Sequence, residues 1–219
     1  MIFDTKKKEI LGNLYRLGTL YTKESVTTFD HYFSSLGHGK VLPHGIYDCQ
    51  QNRGYITLEN SKNTSKVACE YLKNWGNTYG KATYPNANSI LAKCDGGGSN
   101  NANHYIFKDD LQKLVNNEIG IEIRIAHYLP YTSKYNPREH RLFTHITRAC
   151  QGVIFPSLEL VKALVEKTQP KMGLSVAVNI LKKVYKTGRK VADNFQNTMQ
   201  IVFDQYLPKW NYRAVPQPE

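Results

Sequence analysis

The stretch that most constrains this 219-residue chain runs from His127 to Phe143, His-Tyr-Leu-Pro-Tyr-Thr-Ser-Lys-Tyr-Asn-Pro-Arg-Glu-His-Arg-Leu-Phe. It reads as a strand end, a proline-broken loop and a helix with an abrupt start. Asn136 suits the N-cap and Pro137 the first helical position. Glu139 then falls at the third helical position, where a carboxylate closes a capping box. Leu142, Phe143 and Ile146 follow it by three, four and seven residues, so they share its helix face. That face should pack inward. A carboxylate heading an apolar stripe needs a partner, because burying a lone charge is costly. A metal ion is one candidate, and Lys134, Arg138 and Arg141 are others.

The rest of the chain supplies a sheet for that helix. Residues 1–5 and 9–15 read as short strands around Lys6-Lys7-Lys8-Glu9. Residues 17–39 read as irregular loop. Lys40 to Gln50 reads as a strand broken early by Pro43, and Asn52-Arg53-Gly54 turns it into a partner at Tyr55 to Glu59. A helix capped by Asn63 or Thr64 carries Val67, Ala68, Tyr71, Leu72 and Trp75 at helical spacing. Gly80 to Asn88 is a loop, and Ser89 to Cys94 a short strand. A helix from about Ala102 to Asn117 turns Ile106, Leu111, Leu114 and Val115 inward. Ile121 to Ile125 alternates like a strand with one wet face. A hairpin first, then strands alternating with helices, implies an α/β mixed sheet flanked by helices. From Pro156 the chain reads as helical and basic, with amphipathic helices at 158–165 and 176–184. The division expected is a core at 1–152 and a basic helical C-terminal extension at 153–219 packed on it. Trp210 to Pro216 reads as a docked aromatic tail.

Twenty-nine Lys and Arg against 18 Asp and Glu leave a net charge of +11, which suits a polyanionic partner such as nucleic acid or an anionic membrane surface. Fifteen Tyr add planar surfaces on which bases can stack. Cys49, Cys69, Cys94 and Cys150 form no C-x-x-C pair, which argues against a zinc site or redox dithiol. A charged run at Lys6 precedes any apolar segment, unlike a signal peptide, and no apolar stretch approaches spanning length. A cytoplasmic protein without a membrane partner is expected.

Three acidic residues stand out by position. Asp4 ends or interrupts the first strand, Asp95 follows a buried strand, and Glu139 opens a helix. Sites in open α/β sheets gather beyond the carboxyl ends of strands. Asp before Gly is also a common turn residue. Gly96-Gly97-Gly98 lets a backbone or phosphate approach closely, but the Lys-Ser/Thr of a P-loop is missing. If the three carboxylates converge, they repel one another, and Mg²⁺ or Mn²⁺ with all-oxygen ligands relieves the repulsion. Two such ions about 4 Å apart can activate a water or a 3′-hydroxyl and stabilise a leaving oxygen.

Asp4-Thr-Lys-Lys-Lys-Glu9, Gly12-Asn13, His44-Gly-Ile-Tyr-Asp48, Asp95-Gly-Gly-Gly-Ser-Asn100, Thr132-Ser-Lys-Tyr-Asn136, Glu139-His-Arg-Leu-Phe143 and Trp210-Asn-Tyr212 together resemble the ISAzo13-type insertion-sequence transposases. The resemblance spans nearly the whole chain. It implies an RNase H-like fold and a DDE site in which Asp4, Asp95 and Glu139 are the first, second and third carboxylates, 91 and 44 positions apart. It implies two Mg²⁺ or Mn²⁺ ions, DNA as partner, cleavage and strand transfer, and a homo-oligomer on DNA, associated with the bacterial nucleoid when acting. Lys134, Arg138 and Arg141 are either phosphate contacts near the site or a solvated salt-bridging face, and Lys6 and Lys8 share Asp4's side if strand alternation continues, where one of them can neutralise phosphate. Basic residues between Lys162 and Lys190, Arg189 among them, are either a DNA-facing surface or a solvated face. His127 and His140 either assist proton transfer or orient neighbours.

The chain departs from the family pattern at Tyr131, Tyr135 and Asn101, and in lacking a Trp near Ala149-Cys150; none of these touches the three carboxylates. Such transposases carry an N-terminal helix-turn-helix region, which is expected to be absent here. That leaves a rival reading, a truncated, inactive DNA-binding remnant. A second rival, an RNase H-like nuclease on branched DNA or RNA–DNA hybrids, fits the Thr-Ser-Lys-Tyr-Asn segment and Trp-Asn-Tyr tail poorly.

Overall fold

Runs of β-branched and aromatic residues set the strands, and the computed structural model describes them within residues 1–60, 64–129, 132–168 and 173–217. Asn63, Pro130 and Tyr131 lie outside the described residues. Four strands come first: β1 (Ile2–Thr5), β2 (Glu9–Leu11), β3 (Gly39–Asp48) and β4 (Arg53–Glu59). Then follow α1 (Ser65–Trp75), α2 (Lys81–Thr83), β5 (Ser89–Cys94), α3 (Tyr105–Leu114) and β6 (Glu122–His127). The remainder holds α4 (Thr144–Ala149), α5 (Leu158–Glu166), β7 (Ser175–Leu181), α6 (Phe195–Thr198), β8 (Ile201–Phe203) and β9 (Asn211–Ala214). The fold is α/β, with a mixed sheet flanked by helices. Contacts group the chain into two units: Met1–Asp4, Lys62–Asn136 and Val184–Glu219 in one, Thr5–Ser61 and Pro137–Lys183 in the other.

In the first unit β1, β5 and β6 run parallel, and β9 closes antiparallel on β6 with β8 beyond it. β5 alternates, with Ala92 and Cys94 buried and Leu91 and Lys93 exposed. Thr64 caps α1, its hydroxyl accepting from the Val67 N–H at 3.4 Å. Val67, Ala68, Tyr71, Leu72 and Trp75 are buried, as their spacing predicts. Phe3 meets Tyr71 edge-on at 6.0 Å. In α3 the inward stripe is Phe107, Leu111 and Leu114, continued by Val115 in the turn that follows, and Ile106 is only half-buried. The period centres on Phe107, so Ile106 sits about 100° off the stripe. Each fully buried side chain of this size contributes roughly 1.5–3 kcal/mol. The tail docks as expected, as strand β9.

In the second unit β3 pairs antiparallel with β2 and β4, and β4 pairs in parallel with β7. Pro43 does not break β3: its fixed φ suits extended chain, and its carbonyl accepts from the Lys6 N–H at 2.8 Å. The helix expected at 176–184 is instead strand β7, Gly54 to Glu59 pairing with Val176 to Leu181. Val176, Val178 and Ile180 recur at period two, and the open edge of β4 supplies the hydrogen bonds that decide between the two patterns. The segment after 152 is therefore not a helical extension: it holds α5 and the short α6, but also β7, β8 and β9. None of the four boundaries between the units falls at 152.

Candidate active site

Asp4 and Asp95 belong to the first unit, where β1 and β5 run parallel with Ile2 opposite Lys93. The Lys93 N–H donates to the Met1 carbonyl at 3.0 Å and fixes that register. Two residues further along each strand, Asp4 is level with Asp95, on neighbouring strands roughly 4.8 Å apart. Because side chains alternate, Asp4 leaves the strand face opposite Phe3, while Asp95 is the first residue past the end of β5. Asp4 is 5% exposed, while Asp95 is open to solvent.

The Asp95 loop is held from three sides. Its Oδ1 accepts from the Gly97 N–H at 3.3 Å, the turn chemistry expected of Asp-Gly. Its backbone carbonyl accepts from Asn100 Nδ2 at 3.4 Å and from His127 Nδ1 at 2.9 Å. A carbonyl only accepts, so Nδ1 carries the imidazole proton and Nε2 accepts from the Tyr212 hydroxyl at 3.0 Å. Burial pushes the His127 pKa down to about 4, with nearby Lys108 adding to the shift against the opposing hydrogen bond to Asp95. The ring is neutral near pH 7 and orients the loop. Trp210 packs edge-on to it at 6.3 Å. A Cβ on Gly96 would lie 2.7 Å from the Trp210 ring, so only glycine fits there. Lys108 was not legible in the sequence; its Nζ donates to the Ala102 carbonyl at 2.6 Å and sits over the Tyr212 ring at 4.6 Å. Burial pushes its pKa down to about 8.

Glu139 belongs to the second unit. Its helix begins at Pro137, as expected, and widens at once: the Thr144 N–H donates five residues back to the Glu139 carbonyl. Such wide turns recur at functional sites. Leu142, Phe143 and Ile146 are buried as their spacing requires, and Phe143 fills the space a Cβ on Gly45 would need, 2.5 Å away. Glu139 itself is 41% exposed. Among the described residues its carboxylate bonds Arg138, 2.7 Å away, rather than closing a capping box. Burial lowers the Arg138 pKa, and the bond to Glu139 opposes that shift. A cleft of about 490 Å³ opens beside Glu139, lined by Lys6, Lys7, Thr144, Arg148 and Gln151 among others.

The other expected contacts divide. β1 ends at Thr5, so strand alternation does not carry from Asp4 to Lys6 and Lys8. Lys6 turns to Glu9 at 2.8 Å, and Lys8 is exposed. Lys134 is exposed over the Tyr135 ring at 4.9 Å. Arg141 is exposed, and a hydrogen bond with the Tyr47 hydroxyl raises its pKa. His140 is exposed. Arg189 clamps Asp110 at 2.9 Å and Ser65 at 3.2 Å. Sequence reasoning also missed a buried string in the second unit. Thr5 Oγ1 lies 2.9 Å from His44 Nδ1, and His44 Nε2 lies 3.1 Å from Glu59 Oε2.

The structure thus brings Asp4 to Asp95 in one unit, and Glu139 to Lys6 and Arg138 in the other. Among the described residues no group of three His, Cys, Asp or Glu side chains is gathered as a metal site. The two strand-end carboxylates are nevertheless the hard oxygen donors that divalent Mg²⁺ or Mn²⁺ takes.

Residues 1–216 match the family described as the Rhodopirellula transposase DDE domain. The chain belongs to that family. This bears out the resemblance carried by the motifs, and the DDE carboxylates for which the family is named are suited to divalent metal ions. The structure titled "Mos1 transposase paired-end complex with left transposon end" is similar at a TM-score of 0.53 and 18% identity, covering 76% of this chain and 46% of that one. The match spans under half of that chain's length, and at this identity it shows the RNase H-like fold. No curated protein matches the sequence. No described helix is long and apolar enough to cross a membrane.

Proposed function

We propose that this chain is the catalytic domain of a DDE transposase, acting on DNA to cleave a strand at an insertion-sequence end and to transfer the freed 3′-hydroxyl. The observation that carries the reading is the β1–β5 register, which sets Asp4 level with Asp95 at the carboxyl ends of parallel strands. In this reading Asp4, Asp95 and Glu139 are the metal ligands for two ions, Mg²⁺ or Mn²⁺. When bound, such ions activate a water or 3′-hydroxyl and neutralise charge at the leaving oxygen. Asp4, rooted in the sheet, gives the fixed edge of the site. Asp95 reaches from a loop braced by His127. Glu139 projects from the first turn of a helix pinned by Leu142 and Phe143. A homo-oligomer on DNA and association with the nucleoid during action belong to the same proposal.

A second reading, DNA binding without chemistry, draws on the net charge of +11, which suits a polyanionic partner whether or not a reaction follows. Titrating Mn²⁺ into the purified protein separates the two, with thermal stability and nicking of supercoiled DNA as readouts. Metal stabilisation with nicking that Asp95→Asn abolishes supports the transposase reading. DNA binding with neither effect supports the second.

A further inference from the structure

The cleft beside Glu139 carries more than a place for a carboxylate. Three cations line it: Lys6, Lys7 and Arg148. Lys6 is committed to Glu9, which also takes Arg16 at 2.5 Å. Lys7 and Arg148 are exposed, and among the described residues neither makes an ion pair. The Gln151 side chain likewise makes no hydrogen bond among them. Thr144 and Thr147 spend their hydroxyl protons on the Glu139 and Phe143 carbonyls of their own helix. The uncommitted donors are therefore an ammonium, a guanidinium fork and an amide, in a cleft of about 490 Å³. That set matches a tetrahedral oxyanion, which an arginine fork grips in two places and a lysine as a point charge. The one carboxylate on the lining, Glu139, keeps an oxygen bonded to Arg138.

We propose that this cleft binds a backbone phosphate of the DNA strand being processed, held by Lys7 and Arg148 with Gln151 donating to it. The proposal rests on the transposase reading, because it takes the anion to be a phosphodiester lying next to the third catalytic carboxylate. In the absence of metal, Glu139 repels that phosphate, so the same cleft holds both the grip and a charge that metal must neutralise.

The test measures binding of a labelled duplex by anisotropy without divalent metal, across about 50 to about 200 mM salt. Each phosphate contact contributes about 0.9 to the slope of log affinity against log salt. Lys7→Ala and Arg148→Ala are each expected to flatten the slope by about that amount, and the double variant by about twice it. Lys113→Ala is the control: it lies outside the cleft and pairs with Asp109 at 2.6 Å, and should change nothing. Glu139→Gln is expected to tighten metal-free binding. An unchanged slope in the double variant overturns the proposal, as does an equal loss in Lys113→Ala. Inorganic phosphate alone discriminates the source of the anion. If it stabilises the wild type but not the double variant while the DNA slope stays unchanged, the cleft takes a free anion and the strand assignment fails. Because no metal is present, a slope that depends on Lys7 and Arg148 shows that the cleft grips DNA backbone even if nicking is absent; what then fails is the catalytic reading and, with it, the assignment to a strand being processed.

Discussion

His127 Nδ1 donates to the backbone carbonyl of Asp95 across 2.9 Å, joining the end of β6 to the loop that carries the second carboxylate. The other ring nitrogen is fixed by Tyr212, so the loop, the imidazole and β9 form one hydrogen-bonded string. His127→Phe keeps a ring and removes both bonds. Groups that orient a metal ligand typically contribute 10–100-fold in metal affinity or activity. The expected outcome is a rise of about that size in the Mn²⁺ concentration giving half-maximal nicking. An unchanged metal dependence would show that the string does not set the position of Asp95.

The same imidazole makes stability depend on pH. Burial holds its folded pKa at about 4, whereas the unfolded chain protonates it near 6.5. Between those values the unfolded state binds more protons, so stability is full above about pH 6.5 and falls as pH drops towards about 4. The loss is on the order of 3 kcal/mol. Urea midpoints from pH 7 down to about 4.5 should fall more steeply in the wild type than in His127→Phe. Parallel curves for the two proteins would remove His127 as the cause.

Asp95→Asn and Glu139→Gln change charge with little change in volume. A catalytic metal supplies several kcal/mol of transition-state stabilisation, and each 1.36 kcal/mol is tenfold in rate. Each variant is expected to lose roughly 10²-fold or more of Mn²⁺-dependent nicking while keeping its thermal midpoint. Full activity in either would sink the proposed carboxylate set.

What was legible in the sequence is what local spacing encodes. Asp95 follows a strand that alternates, Glu139 heads a stripe with Leu142 and Phe143, and both positions follow from period and turn chemistry alone. The stretch at 176–184 fits both patterns, because Val176, Ile180 and Val184 lie four apart as on one helix face while Val176, Val178 and Ile180 alternate as in a strand; the edge of β4 resolves it. Arg189 resembles its exposed basic neighbours in sequence, and its partner Asp110 is 79 positions away. Thr5, His44 and Glu59 meet only through strand pairing, at separations of 39 and 15 residues. Local patterns carry no record of such partners.

That buried string gives a further expectation. His44 and Glu59 are both fully buried. Removing one partner of a buried hydrogen-bonded pair takes a bond away from the other, a loss of about 1–3 kcal/mol. His44→Phe should therefore destabilise strongly. The double variant with Glu59→Leu should be less destabilised than the sum of the singles, because the bond between the two is lost only once. Denaturant unfolding of the four proteins measures the coupling. Strict additivity would show that the two side chains do not support each other.

Gly45 and Phe143 test how the helix bearing Glu139 is seated. A Cβ at Gly45 would come within 2.5 Å of the Phe143 ring, a separation that real Cβ atoms essentially never show. Phe143 is itself buried, so the ring cannot swing into solvent. Gly45→Ala must push the ring, and with it the first turns of the helix, away from β3. Overpacking of this kind typically costs about 1–3 kcal/mol. A helix displaced by a fraction of an ångström carries Glu139 with it, so nicking should fall further than stability alone explains. Phe143→Leu in the Gly45→Ala background removes the clash and should restore part of both. If Gly45→Ala lowers the thermal midpoint yet leaves Mn²⁺-dependent nicking at wild-type levels below that midpoint, the seating of Phe143 on β3 does not govern where Glu139 stands.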